Sequence, residues 1–160
     1  MQIKVHFAHG LESSSQGTKS QFLRNLFPNI LIPDYVGTFQ ERMDSMEKNL
    51  AEYNQVILVG SSFGGLMSAV YGCRYPGRVQ KLILLAPAIH LEDFTPYREK
   101  PVSIPTVIVH GRLDDVVPIE AVRKIAEKTF RNLVFHEKED GHRLLQTFRS
   151  IDWLGLIGQE

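Results

Sequence analysis

"LVGSSFGGLM", residues 58–67, passes from strand-forming residues to small, helix-compatible ones through a serine pair set between glycines. Ahead of it, "QVILVG" (55–60) is apolar at successive positions, the signature of a strand buried on both faces of a parallel sheet. Behind it, residues 63–75 read as a helix stopped by Pro76 and Gly77. Gly60-Ser61-Ser62-Phe63-Gly64 therefore has the form G-x-S-x-G between a strand and a helix, the context in which a serine is held up as a nucleophile. The reason is steric: on so tight a turn, a Cβ at either outer position would collide with the neighbouring strand or helix. A glycine-rich turn of this kind also binds phosphate. That reading is weak here, because no G-x-G-x-x-G follows the first strand and no Gly-Lys-Ser/Thr occurs anywhere.

Working outward, further apolar runs read as strands: "IKVHFAH" (3–9), "NILIP" (29–33), "KLILLAP" (81–87), "PTVIVHG" (105–111) and "NLVFHE" (132–137). Helical periodicity falls between them. Thr18 is expected to cap a helix over 19–27 with Phe22, Leu23 and Leu26 on one face. Phe39, Met43, Met46, Leu50 and Tyr53 share a face over 39–53, and Val122, Ile125, Ala126 and Phe130 share one over 119–130. A closing helix is expected over 143–157. Strands alternating with helices imply right-handed βαβ crossovers. The expected fold is a three-layer α/β/α sandwich, a mostly parallel sheet of about six strands, in a single domain over residues 1–160. In such sheets, ligands bind beyond the carboxyl ends of the strands.

Composition narrows the partners. Lys+Arg and Asp+Glu are both 18, so the formal net charge is zero, and no like-charge run suggests nucleic acid or an anionic membrane as partner. The single cysteine, Cys73, cannot form an intrachain disulfide. No signal-peptide core opens the sequence and no apolar run has the length of a membrane span, so a cytoplasmic protein without membrane insertion is expected.

A serine hydroxyl needs a base, and the base needs an orienting carboxylate. After the fifth strand, "VHGRLDDVVP" offers Asp114 and Asp115; after the sixth, "EKEDGHRLL" offers His142. Both lie at the expected functional edge, in the chain order Ser, Asp, His. One of the two aspartates is expected to face the histidine while the other caps the helix near Pro118, and Asp140 is assigned to the turn before His142. Backbone N–H groups must meet the oxyanion. Phe63 is one candidate donor, and Leu11 in "AHGLESS" another, with Gly10 allowing close approach. His9 is read as bracing that loop, and Ser13, Ser14 and Ser15 as loop hydrogen-bonders, with Ser14 the one able to face the site.

With these pieces in place, the sequence resembles the α/β-hydrolase superfamily. The matching residues are "HG" (9–10), "GSSFGG" (60–65), "HGRLDDVVP" (110–118) and "DGH" (140–142), in the family's order along almost the whole chain. It looks most like the small bacterial esterase-like branch, whose "HG" precedes a serine-bearing loop. The resemblance implies Ser62 as nucleophile, His142 as base and Asp114 as acid, the latter because the family's acid stands three residues after the glycine of "HG", here Gly111. Asp115 remains the alternative acid. It also implies the Leu11 and Phe63 amides as oxyanion hole. Two departures matter: the sequence opens directly at the strand leading to the oxyanion loop, and only residues 88–104 stand where many members carry a helical cap. That length implies a shallow site, open or closed by a second copy in a homo-oligomer.

The implied chemistry is hydrolysis of a small or short-acyl carboxylic ester, with no metal and no cofactor. A thioesterase with the same triad, or a hydrolase-like binding module without catalysis, are the alternatives. His9, Gly10, His90, Phe94 and Tyr97 are the candidate substrate-binding residues; for Phe94 and Tyr97, core packing is an equal expectation.

Overall fold

The computed structural model describes residues 2–158. Five strands, β1 (Lys4–Ala8), β2 (Val56–Ser61), β3 (Val79–Leu85), β4 (Thr106–Gly111) and β5 (Leu133–Lys138), pair in that order and all in parallel. The strand expected at 29–33 is reduced to one bridge between His6 and Leu31, on the side of β1 away from β2. Two 2.9 Å bonds make it, Phe7 N–H to the Leu31 carbonyl and Leu31 N–H to the Val5 carbonyl. Pro33, which follows, has no N–H to extend the ladder.

This edge segment decides where the site lies. The chain leaves β1 to one side, touches the sheet at Leu31, and then crosses β1 to form β2 on the other side. The direction of winding reverses there, so the loops after β1 and β2 part and leave a crevice at the carboxyl edge.

Side chains alternate along each strand and serve two cores. Leu58, Leu82, Leu84 and Ile108 pack under α2 (Phe39–Leu50), α3 (Phe63–Arg74) and α4 (Ile119–Thr129). Phe7, Val59, Ile83 and Val109 pack under α1 (Thr18–Leu26) and the C-terminal helices α5 (Thr147–Ser150) and α6 (Trp153–Ile157). Trp153 is buried there beside Phe148, with ring centroids 5.2 Å apart, and donates its indole N–H to the Phe148 carbonyl at 3.0 Å. Among the described residues, no helix is long and apolar enough to cross a membrane.

Three local expectations are corrected. Helix α1 begins at Thr18 itself, after Gly17, without a side-chain cap, and it buries Leu23 and the following Phe27 while Leu26 is exposed. Helix α2 stops at Leu50 rather than Tyr53, and opens with a reciprocal cap in which Thr38 and Glu41 each accept the other's backbone N–H at 3.1 Å. The single helix expected over 143–157 is broken in two. Leu144 adopts φ 52°, Ile151 is extended, and Asp152 starts α6 afresh by accepting the Gly155 N–H at 3.0 Å.

Residues 88–104 fold down onto the α3 side of the sheet. Their one 3-10 helix, Glu92–Tyr97, places a fully buried Phe94 against Phe130, with ring centroids 6.4 Å apart.

Candidate active site

Ser62 joins β2 to α3 with φ 56° and ψ −113°, a conformation that L-residues rarely hold without support. Three backbone bonds supply it: Ser62 N–H to the Leu85 carbonyl at 2.9 Å, and the Ala88 and Leu66 N–H groups to the Ser62 carbonyl at 3.0 and 3.1 Å. The flanking glycines are demanded by close approach. A Cβ on Gly60 would lie 2.4 Å from the Gly64 carbonyl oxygen, and one on Gly64 only 2.0 Å from that of Ala8. Phe63 is the first residue of α3, so no preceding helical turn accepts its N–H.

The loop after β1 runs beside this turn, and a Cβ on Gly10 would stand 3.6 Å from the Cβ of Ser62. His9 is buried and fully engaged: its Nε2 accepts the Tyr35 N–H at 2.9 Å, so Nδ1 carries the proton and donates to the Gly10 carbonyl at 2.7 Å. That carbonyl belongs to the same planar peptide as the Leu11 N–H, which therefore points the opposite way. The Leu11 N–H has no partner among the described residues. Ser15 ties the loop to the edge segment by donating its N–H and Oγ–H to Asp34 at 2.7 and 3.0 Å. Ser14 is occupied locally, its Oγ accepting the Gln16 N–H at 3.0 Å.

The loops after β4 and β5 are stitched together. Arg112 donates its N–H to the Lys138 carbonyl at 2.7 Å, and Leu113 donates to the Asp140 carbonyl at 3.0 Å. Gly111 permits this, since a Cβ there would sit 2.2 Å from the Asp140 carbonyl oxygen. The stitch sets Asp114 opposite His142, with His142 Nδ1 2.8 Å from Asp114 Oδ2 and His142 Nε2 3.0 Å from Ser62 Oγ. The structure thus brings Ser62, His142 and Asp114 into one hydrogen-bonded line. Nδ1 faces a carboxylate and carries the proton, which leaves the Nε2 lone pair for the serine hydroxyl.

Asp114 is more heavily engaged than a simple partner of His142. Its side chain is fully buried, its Oδ1 accepts the Val116 and Val117 N–H groups at 2.8 Å each, and its Oδ2 also lies 3.2 Å from His110 Nε2. Burial opposes ionisation, but the Val117 amide, His142 and the Val116 amide outweigh it and hold the carboxyl below its ordinary range. The expected division of labour between two aspartates is corrected here. Asp114 both faces the histidine and binds the turn amides, while Asp115 is exposed and α4 starts after Pro118 without a side-chain cap. Asp140 is a turn residue, accepting the Gly141, Gln146 and Thr147 N–H groups at 2.8, 3.1 and 2.9 Å.

Of the candidate substrate-binding residues, Phe94 and Tyr97 make core contacts instead. Phe94 is fully buried, and Tyr97 packs on it and accepts the Arg74 Nε–H at 2.9 Å. His9 is consumed by its two backbone bonds and Gly10 lies beside Ser62. His90 is half-buried on the loop after β3, its basicity lowered by burial and by Arg98, with Asp114 acting in the opposite direction. His110, fully buried at the end of β4, was not singled out from the sequence. Its only signal there is its place four residues before Asp114.

Comparison with known proteins agrees with this architecture. A family model described as serine aminopeptidase, S33 (Hydrolase_4), matches residues 19–99, half of the chain. A monoacylglycerol lipase of Mycolicibacterium smegmatis is 34% identical over 64 residues, 40% of this chain but only 21% of that protein. Mouse alpha/beta hydrolase domain-containing protein 10 superposes with a TM-score of 0.78 over 92% of this chain and 85% of its own, at 18% identity. The Pyrococcus furiosus esterase Pf2001 gives a TM-score of 0.71 over 98% and 81% of the two chains, at 17% identity. The fold and the family match agree: the chain belongs to the serine aminopeptidase S33 (Hydrolase_4) family of the α/β-hydrolase superfamily.

Proposed function

We propose that this chain hydrolyses carboxylic esters, with Ser62 as nucleophile, His142 as general base and acid, and Asp114 as its orienting carboxylate. The observation that carries the reading is the unbroken line Asp114–His142–Ser62, at 2.8 and 3.0 Å, ending on a strained serine turn. The turn sets Oγ in reach of the imidazole, as a nucleophile's turn does. The names of similar proteins, a monoacylglycerol lipase and several esterases, favour an ester over other acyl bonds.

In this reading, Ser62 Oγ attacks the ester carbonyl as its proton passes to His142 Nε2, and the imidazolium is stabilised by Asp114. The Leu11 and Phe63 N–H groups receive the oxyanion. Collapse of the adduct breaks the C–O bond, and the leaving alkoxide takes the proton from His142. Water then attacks the acyl-enzyme while His142 accepts its proton. Second collapse releases the acid and returns that proton to Ser62. The direction of the Leu11 N–H, set by His9, supports its place in the oxyanion hole.

The test is hydrolysis of p-nitrophenyl esters from acetyl to dodecanoyl by wild type and Ser62→Ala, with an aminoacyl p-nitroanilide and an acyl thioester run alongside. Turnover of the esters that vanishes in the variant, together with labelling of wild type by a phosphonate probe, is expected. A wild type that neither turns over an ester nor takes the probe would end the reading. Faster turnover of the anilide or the thioester would move it to another acyl bond.

A further inference from the structure

Asp114 Oδ2 is shared between two histidines, of which only His142 reaches the serine. His110 Nε2 lies 3.0 Å from the Val117 carbonyl oxygen and 3.2 Å from Asp114 Oδ2. Both neighbours are acceptors, so Nε2 must carry a proton. The ring is fully buried, stacked on Phe135 at 12° with centroids 6.4 Å apart, and its Nδ1 has no partner among the described residues. A bare nitrogen in an apolar setting accepts a second proton with difficulty, and burial indeed lowers the basicity of this imidazole against the pull of Val117 and Asp114. His110 is thus a neutral ring of fixed tautomer, aimed at the carboxylate oxygen that His142 uses.

Taking the triad proposed above as its basis, we propose that His110 is a positioning residue that sets the base strength of His142 through Asp114. By donating to Oδ2, it withdraws part of the charge that would otherwise stabilise the His142 imidazolium, and it fixes the carboxylate plane. Removing the donor while keeping the ring, as in His110→Phe, frees that charge for His142 and raises the pH at which His142 protonates. His110→Gln, whose amide nitrogen can occupy the Nε2 position, retains a donor. A purely structural role for His110 would change stability in both variants but would not order their titrations in this way.

The other titratable and charged groups around this cluster are His90 with Arg98 beside it on the loop after β3, Asp140 and Arg143 on the loop after β5, and Lys19 on α1. All are common to the three proteins, so their influence cancels in the comparison.

The experiment is an NMR pH titration of the His142 ring in wild type, His110→Phe and His110→Gln, with the acid limb of kcat/KM on p-nitrophenyl acetate measured beside it. The expected result is an upward shift of about half to one pH unit in the Phe variant, with the Gln variant close to wild type. An unmoved His142 titration in a folded Phe variant, or equal shifts in both, would overturn the proposal. If the Phe variant does not fold, the ring nitrogen shifts of wild-type His110 decide. A proton on Nε2 with no titration near the ordinary histidine range supports the proposal; a proton on Nδ1, or ordinary titration, overturns it. Because the NMR readout needs no turnover, an absence of esterase activity would count against the proposed function and leave this one to be judged by the titration.

Discussion

At the scale of the residue, the Ser62 turn is the part of the site that the sequence exposes most directly, because its constraint is local. Five residues must pass between β1, β3 and the start of α3, and only glycine fits at two of them. We expect Gly64→Ala to lose about 2–3 kcal/mol or more, since its Cβ would meet the backbone of Ala8 rather than a side chain that can move. Urea unfolding of the variant measures it, and a midpoint equal to wild type would show that the turn relaxes freely. Asp114→Asn keeps the shape of the acid but can place a donor before His142 Nδ1, selecting the wrong tautomer. In the proposed mechanism, kcat on p-nitrophenyl esters should fall on the order of a thousandfold or more while the fold persists; a loss below tenfold would remove Asp114 from the proposed triad. The choice between Asp114 and Asp115 was not legible from the residues alone. The fold of the turn decides it, with the Val116 and Val117 amides gripping Oδ1 of Asp114 and leaving Oδ2 to His142. His110 was illegible for the same reason, since its contact with Asp114 exists only because the turn brings the chain back over the end of β4.

At the scale of the element, the buried central strands were readable because a parallel strand covered on both faces must be apolar at every position. The segment at 29–33 has the right alternation, with Ile30 and Ile32 in the α1-side core and Leu31 packed toward the other. Yet it has a neighbour on one side only and a proline where its next ladder bond would form, so pairing stops at one bridge. The C-terminal region shows the opposite failure. Its apolar residues suit a helix, but Asp140 and Asp152 bind backbone N–H groups and restart the chain twice. The reciprocal cap of α2 yields a prediction at this scale. Thr38→Ala removes the acceptor for the Glu41 N–H and should cost about 1 kcal/mol, read as a lower urea midpoint with little change in esterase rate. A variant as stable as wild type would mean that tertiary packing alone holds the start of α2.

At the scale of the whole molecule, the buried ionisable groups set a common response to acid. Burial lowers His6 to about 3 from 6.5. Between those values the unfolded chain binds a proton that the folded chain refuses, so stability falls as pH falls through that window, by up to about 1.4 kcal/mol per pH unit for one proton. His110 is shifted in the same direction. Asp34, Asp114 and Asp140 are also held below their ordinary range, so their contributions are present above the ordinary carboxylate value and are lost at lower pH. Urea midpoints should therefore begin to drop below about pH 6.5, before any carboxylate titrates. His6→Gln should flatten that first descent by about one proton, and an unchanged slope would assign the descent to other groups. The stitch between the loops after β4 and β5 has its own consequence at this scale. Asp114 and His142 stand on loops tied by two amide hydrogens, those of Arg112 and Leu113, so a backbone opening that separates the two loops must first release them. The fraction of time for which these two loops stand apart, and with them the proposed triad, is therefore written in the deuterium exchange of two backbone positions, where it can be followed without substrate.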